Sequence, residues 1–274
     1  MSQQQNNDML QHFYRASAAD FGKIPGSPVA YWLEKSLLKA FSDGCAIGDL
    51  SETAVGLFTC NNDYFLKHWH EVDVEKISFN CSNRNDTDKF KYYPYNKGGG
   101  FRKWYGLNNL VVNYQHDGQE VRDYRKESGQ SWSLPGEKYY FSSGITWSGL
   151  TSSINSFRYS PIGYIFESNK GQMLFSNTND YLIAFLNSGL CQKIISVINP
   201  TLSLQSNEIK KIPIIFSQDK LAIESKSVRM FELSKNDWDS FESSWDFIRF
   251  SLLDAGYLLL SLKDAYKKRS YKMV

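Results

Sequence analysis

Apolar positions in this chain change period several times, and each change predicts an element. Residues 1–20 open polar and rich in Gln and Asn, the pattern of a loose leader. Val29, Trp32, Leu33, Leu37 and Phe41 then recur at helical spacing behind Ser27-Pro28, a serine N-cap with proline at the first helical position, and the run stops at Gly44. This predicts a helix over 28–43. From Glu52 the pattern shortens to β-type runs, AVGLFT, YFLKHWHEV and KISFN, with Asn61-Asn62-Asp63 as a turn between strands. NNLVVNYQHDGQEV reads as a strand pair around a two-residue Asp117-Gly118 turn. The long stretch from Lys138 to Phe175 is β-rich, punctuated at Ser143-Gly144, Pro161 and Lys170-Gly171.

Helical spacing returns behind Asn179, where Leu182, Phe185, Leu186, Leu190, Ile194 and Ile198 share one face up to Asn199-Pro200. A short turn starting at Glu208 leads into Ile212-Pro213-Ile214. Asn236 to Glu242 reads as a capped helix start, and residues 251–268 as an amphipathic helix with a basic end. The expectation is an α+β chain: twisted sheets braced by long helices over 28–43 and 179–198. A polar leader over 1–24 precedes the main body at 25–216, and a helical extension fills 217–274.

Composition narrows the function classes only a little. At 42% hydrophobic, 22% charged and 15% aromatic, the 274 residues can build a sizeable core. The net charge of +2 points to no partner by itself. Cys45, Cys60, Cys81 and Cys191 form no CxxC pair and no regular spacing, so neither a zinc knuckle nor a disulfide framework is indicated, and isolated thiols fit a reducing, cytoplasmic setting. No apolar run approaches the roughly 20 residues of a membrane span, so no membrane partner is expected. His68 and His70 sit two apart on one presumed strand face, but no third metal ligand is in register, and a surface pair is the better reading. Ser36-Leu37-Leu38-Lys39 matches S-x-x-K only formally, and no G-x-S-x-G elbow is present.

Local charge is more informative than the total. Between Lys89 and Tyr105 five basic residues alternate with aromatic rings around Gly98-Gly99-Gly100, with no acid among them. Glycines allow a close backbone approach, and Lys97, Arg102 and Lys103 bring positive charge to it, as a polyanion-facing loop requires. Tyr92, Tyr93, Tyr95, Trp104 and Tyr105 can stack on bases or pack beneath the backbone. An ordinary surface loop between aromatic strands has the same spacing. Arg122, Arg125 and Lys126 form a second basic cluster. The hydroxyl-rich segment from Thr146 to Arg158, including Trp147, Ser152 and Ser153, offers groups suited to base edges, or simply turn residues.

Several blocks carry a family resemblance. Thr59, Asn61-Asn62-Asp63-x-Phe65, then Phe185-Leu186-Asn187-Ser188, then Asn207-Glu208-Ile209-x-x-Ile212-Pro213-Ile214 resemble the target recognition domains of Type I and TaqI-like adenine methyltransferases. PGSPVAYW (25–32), YYPYNKGGGFRKWYG (92–106), GITWSGLTSSINSFRY (144–159), GYIFE (163–167), INPTLSLQ (198–205) and KNDWDSFESSWDF (235–247) are similar to the PglX-type adenine-specific DNA methyltransferases of BREX phage-defence systems. Cys60 stands where the family's opening turn usually has glycine, and residues from Phe250 on do not match.

The resemblance implies a β-rich recognition domain that binds duplex DNA in a sequence-specific way and selects the site of N6-adenine methylation. Lys97, Gly98, Gly99, Arg102, Lys103, Arg122 and Lys126 would hold phosphates; Thr146, Trp147, Ser152, Ser153 and Arg158 would read bases. The catalytic N-P-P-Y or D-P-P-Y tetrapeptide is absent from the sequence, and Asn199-Pro200-Thr201 follows a helix. S-adenosylmethionine is therefore expected on a catalytic domain elsewhere, and no cofactor on this chain. The partners implied are double-stranded DNA and that catalytic domain or other subunits of a defence complex. The alternative is a protein-binding module that assembles such a complex without touching DNA.

Overall fold

A computed structural model describes residues 17–152, 154–253, 256 and 260–272. Most of the expected leader and Ser153 lie outside the described residues. In chain order the strands are β1 (Cys45–Ala46), β2 (Glu52–Ala54), β3 (Leu66–His68), β4 (Tyr92–Asn96), β5 (Leu110–Asn113), β6 (Gly144–Trp147), β7 (Phe157–Ser160), β8 (Ile165–Phe166), β9 (Met173–Phe175) and β10 (Pro213–Ile214). The principal helices are α1 (Lys35–Asp43), α2 (Gln115–Glu127), α3 (Asn179–Leu186), α4 (Gly189–Ile198), α5 (Ser206–Lys210), α6 (Lys220–Trp238) and α7 (Leu262–Lys272).

Two four-stranded sheets form an α+β fold. The first is antiparallel, in the order β2-β9-β6-β7; the second runs β3-β5-β4-β8, antiparallel except where β8 lies parallel to β4. β1 and β10 make a separate ribbon. Register in the first sheet sets its two faces. Ile145 lies opposite Tyr159 and Leu174, and Trp147 opposite Phe157, while the intervening Thr146 faces Arg158 and Met173. The Ile145 and Trp147 face packs on α3, α4 and α5 through Leu182, Leu186, Cys191, Ile194 and Ile209. Met173, on the opposite face, joins Ala54, Tyr93, Tyr95, Tyr114, Phe141 and Phe166 in a second core rich in rings. Ring edges meet ring faces there, with Tyr93 and Phe141 centroids 5.4 Å apart and Tyr140 and Phe166 5.6 Å apart. Tyr93 and Tyr95 therefore support the basic loop from within.

Several boundaries differ from the sequence pattern. Ser27 takes φ 47 and cannot act as a helix cap; residues 28–34 form turns, and α1 begins at Lys35 with Glu34 before it. The expected helix over 179–198 is two helices bent by 74°. Its break has a physical cause: the Asn187 side chain accepts from Phe157 N and donates to Phe157 O, both at 3.0 Å, so it pairs with β7 as a further strand would. Ser188 then caps α4 by accepting from Cys191 N. No single helix among the described residues is long and apolar enough to cross a membrane. The expected hairpin at Asp117-Gly118 is instead a left-handed turn, His116, Asp117 and Gly118 all having positive φ, which leads from β5 into α2. α6 spans 19 residues inside the expected helical extension, and the helix start expected at Asn236 is its last turn.

Candidate nucleic-acid interface

Four segments interlock at one end of the sheets. Residues 97–104 follow β4, 148–156 connect β6 to β7, 167–172 connect β8 to β9, and 199–206 connect α4 to α5. Gly99 N donates to Ser148 Oγ (3.2 Å), Gly149 N to Lys170 O (3.0 Å), Thr151 N to Leu202 O (3.1 Å) and Leu204 N to Gly149 O (2.9 Å). Gly98 has φ +78, and a Cβ there would lie 1.8 Å from Lys170 O, so only glycine permits this approach of the first and third segments.

The charge of this end is one-sided. Residues 97–104, 148–155, 168–171 and 199–206 contain no Asp or Glu, while Lys97, Arg102, Lys103 and Lys170 are basic. Glu167, at the base, is buried and faces inward: its carboxylate accepts from the backbone N–H groups of Asn169 and Lys170. Arg158 lies beneath the glycine loop, 2% exposed, and its Nη1 donates to Ser148 Oγ at 3.3 Å. No carboxylate among the described residues comes within ion-pair distance of it. Burial lowers its pKa to about 10, which still leaves the guanidinium charged at neutral pH. A full positive charge therefore sits under the loop without internal compensation.

The residues marked from sequence divide into three groups. Lys97, Gly98, Gly99 and Ser152 lie on the loops, with Gly99 and Ser152 exposed. Thr146, Trp147 and Arg158 are buried, which corrects their expected part in reading bases. Thr146 Oγ1 donates to Gln172 O (3.1 Å) and Trp147 Nε1 to Leu204 O (2.9 Å), so both brace the loops from below. Arg102 and Lys103 are also turned to internal partners. Arg102 donates to Tyr105 O (2.8 Å), Ser234 O (3.2 Å) and Asp237 Oδ2 (2.8 Å) and stacks over Trp238, while Lys103 Nζ donates to Asn187 O (2.7 Å).

The second basic cluster lies elsewhere. Arg122 is a buried residue of α2, and its Nη2 reaches Asp117 Oδ2 (2.9 Å) and Glu137 Oε2 (2.8 Å), while Arg84 adds a second bond to Asp117 at 2.6 Å. Arg125 donates to Ser131 O and Phe58 O. Neither arginine can reach a phosphate; of that cluster only Lys126 is exposed. Sequence reading missed Lys170, whose Lys170-Gly171 signal marked a turn but not its place beside Gly98. His68 and His70 stack 5.4 Å apart, and no group of three metal-ligating side chains occurs among the described residues.

The family's opening turn is intact. Asn61 Oδ1 accepts from Tyr64 N (3.1 Å), Thr59 Oγ1 donates to Asn62 Oδ1 (2.7 Å), and Asn61 Nδ2 donates to the Tyr124 hydroxyl on α2 (3.2 Å). Cys60 takes φ 64, a left-handed conformation that glycine adopts at lower cost.

No family model matches the chain. Curated relatives do: the chain corresponds to a partial region of PglX-like adenine-specific methyltransferases. It is 35% identical over 255 residues to the adenine-specific methyltransferase PglX of Lacticaseibacillus casei (strain Zhang), covering 90% of this chain and 21% of that protein. It is 33% identical over 241 residues to the adenine-specific methyltransferase BrxX of Escherichia coli O9:H4 (strain HS), covering 86% and 19%. The chain thus spans about a fifth of the length of the curated relatives it matches.

Proposed function

We propose that this chain is a duplex-DNA recognition module, of the kind used in BREX phage defence, that selects the adenine to be methylated by a catalytic domain elsewhere. The observation that carries this reading is the end built from four loops, with no exposed acid, over the uncompensated charge of Arg158. A polyanion is the partner such an end attracts, and phosphate contacts position a duplex while loop side chains meet base edges. Lys97 and Lys170 hold phosphates, with Gly98 and Gly99 letting the backbone come close; Ser152 is placed for base edges. Arg158 acts at a distance, raising the potential of the loop above it. Methyl transfer and S-adenosylmethionine belong to the partner domain, since the sequence has no catalytic tetrapeptide. A second reading, a protein-binding role without DNA contact, draws on the exposed Leu221, Val228 and Met230 of α6.

Fluorescence anisotropy with a labelled duplex at several salt concentrations tests the first reading. Lys97→Ala with Lys170→Ala is expected to lower the slope of log affinity against log salt by about one unit per lost contact, whereas Lys126→Ala leaves it unchanged. An unchanged slope in the double variant removes the loop end from the interface. Absence of duplex binding by the parent chain favours the protein-binding reading.

A further inference from the structure

Of the aromatic residues between Lys89 and Tyr105, only Phe101 is exposed, at 56%. The others are buried or half-buried in the fold. Phe101 follows Gly100 and precedes Arg102, whose bonds to Tyr105, Ser234 and Asp237 fix the backbone on one side. On the other side Gly99 is tied to Ser148. The ring is thus held out on a braced loop. Three further apolar side chains are exposed on the adjoining segments, Leu150 at 54%, Ile154 at 56% and Leu202 at 61%. Leu150 is next to Ser203 in an antiparallel bridge, and Arg102 N donates to Ser156 Oγ (3.3 Å), which brings the three segments side by side.

Apolar tips on loops that also carry Lys97 and Lys170, with Glu167 buried as the one acid in the four loops, match one kind of surface in charge. The stacked bases of a duplex are apolar, and they are flanked on both sides by phosphate. A protein patch of like composition would meet four loops that offer basic groups but no exposed acid. We propose that Phe101, backed by Leu150 and Leu202, is a wedge that enters a duplex between base steps and opens it. This rests on the duplex-recognition reading and adds a mechanical role to it. The role suits the chemistry: an enzyme acting on a base must first draw it out of the stack, and inserted apolar side chains lower that barrier by unstacking a step.

The experiment uses the whole chain and a short duplex carrying 2-aminopurine, whose fluorescence rises when it is unstacked. The parent chain is expected to raise the signal on binding, and Phe101→Ala to bind with the same salt slope without raising it. Phe101→Trp restores the signal. The parent is also expected to favour a mismatched, pre-opened duplex over an intact one by more than Phe101→Ala does, by about tenfold, the worth of one base stacked on a ring. Since Phe101 is exposed, circular dichroism of the variants should match the parent. Equal signals from parent and Phe101→Ala overturn the wedge. So does a parent that binds without any rise, and then duplex recognition still stands. If the parent binds no duplex at all, the recognition reading falls and the wedge falls with it.

Discussion

Arg122 and Arg158 are each 2% exposed, yet they stand in opposite surroundings. Arg122 meets two carboxylates, Asp117 and Glu137, and stacks on Trp132. Arg158 has a serine hydroxyl and no carboxylate. A buried charge with matched partners completes a local network, and its field is cancelled within a few ångströms. A buried charge without them costs stability, and its field extends to whatever approaches the surface. Burial alone therefore does not say whether an arginine serves the fold or a ligand; the count of nearby acids does.

The largest expected effect comes from breaking the balanced side. Arg122→Met leaves the partly exposed Asp117 and Glu137 to Arg84 alone and should lower stability by about 1–3 kcal/mol in urea denaturation. Duplex binding per folded molecule should be unaltered, and an unchanged unfolding midpoint would show that Arg122 is not part of the network. Acid probes the same cluster. Burial pushes the Asp117 carboxyl up, but hydrogen bonds from Arg84 and Tyr114, with the charges of Arg122 and Arg84, outweigh it and hold its pKa below the ordinary value. A depressed carboxyl contributes stability that is fully present above its unfolded pKa, about 3.9, and is lost as pH falls through the lower folded value. Stability should thus decline below about pH 4. Asp117→Asn, already weakened at neutral pH, should lose that part of the decline; an identical acid profile would exclude Asp117 as its source.

On the unbalanced side the sign reverses. Arg158→Met keeps volume and removes a buried, unpaired charge, so stability should stay level or rise by up to about 2 kcal/mol. Duplex affinity should fall. A marked loss of stability would mean that Arg158 is a structural residue like Arg122, and the contrast would collapse. The smallest effect belongs to Cys60→Gly. A left-handed residue with a Cβ costs about 1–2 kcal/mol, part of which the greater freedom of glycine in the unfolded chain offsets, leaving a gain near 0.5 kcal/mol measurable as a raised Tm.

Much of the fold was legible where a pattern depends on near neighbours. The β-rich stretch from Lys138 to Phe175 does hold β6 to β9, and Leu182 to Ile198 marked helix. The break at Asn187 was hidden because its cause, the Phe157 backbone, lies 30 residues away. The Asp117-Gly118 signal was real, but a dipeptide that favours positive φ cannot say that His116 shares it. The site was half legible. Lys97 and the glycines stand out by composition, whereas Arg122 looks as basic as Lys97 until Asp117 and Glu137 are brought beside it. The bounds of α6 inside the expected helical extension were not legible because its polar and apolar positions show little periodicity, and part of its docking is polar, through Ser234, Asp237 and Arg102.

That docking makes the glycine loop and α6 parts of one equilibrium. Arg102 stands at the joint: its guanidinium lies over Trp238 and bonds Asp237. A ligand that draws Arg102 toward itself must first detach it from α6, and its affinity is reduced by the free energy of that contact. A protein that grips α6 and displaces Asp237 would release Arg102 and strengthen loop binding by the same factor. Linkage makes the effect reciprocal, so occupancy of the loops would in turn be felt by whatever holds the helix.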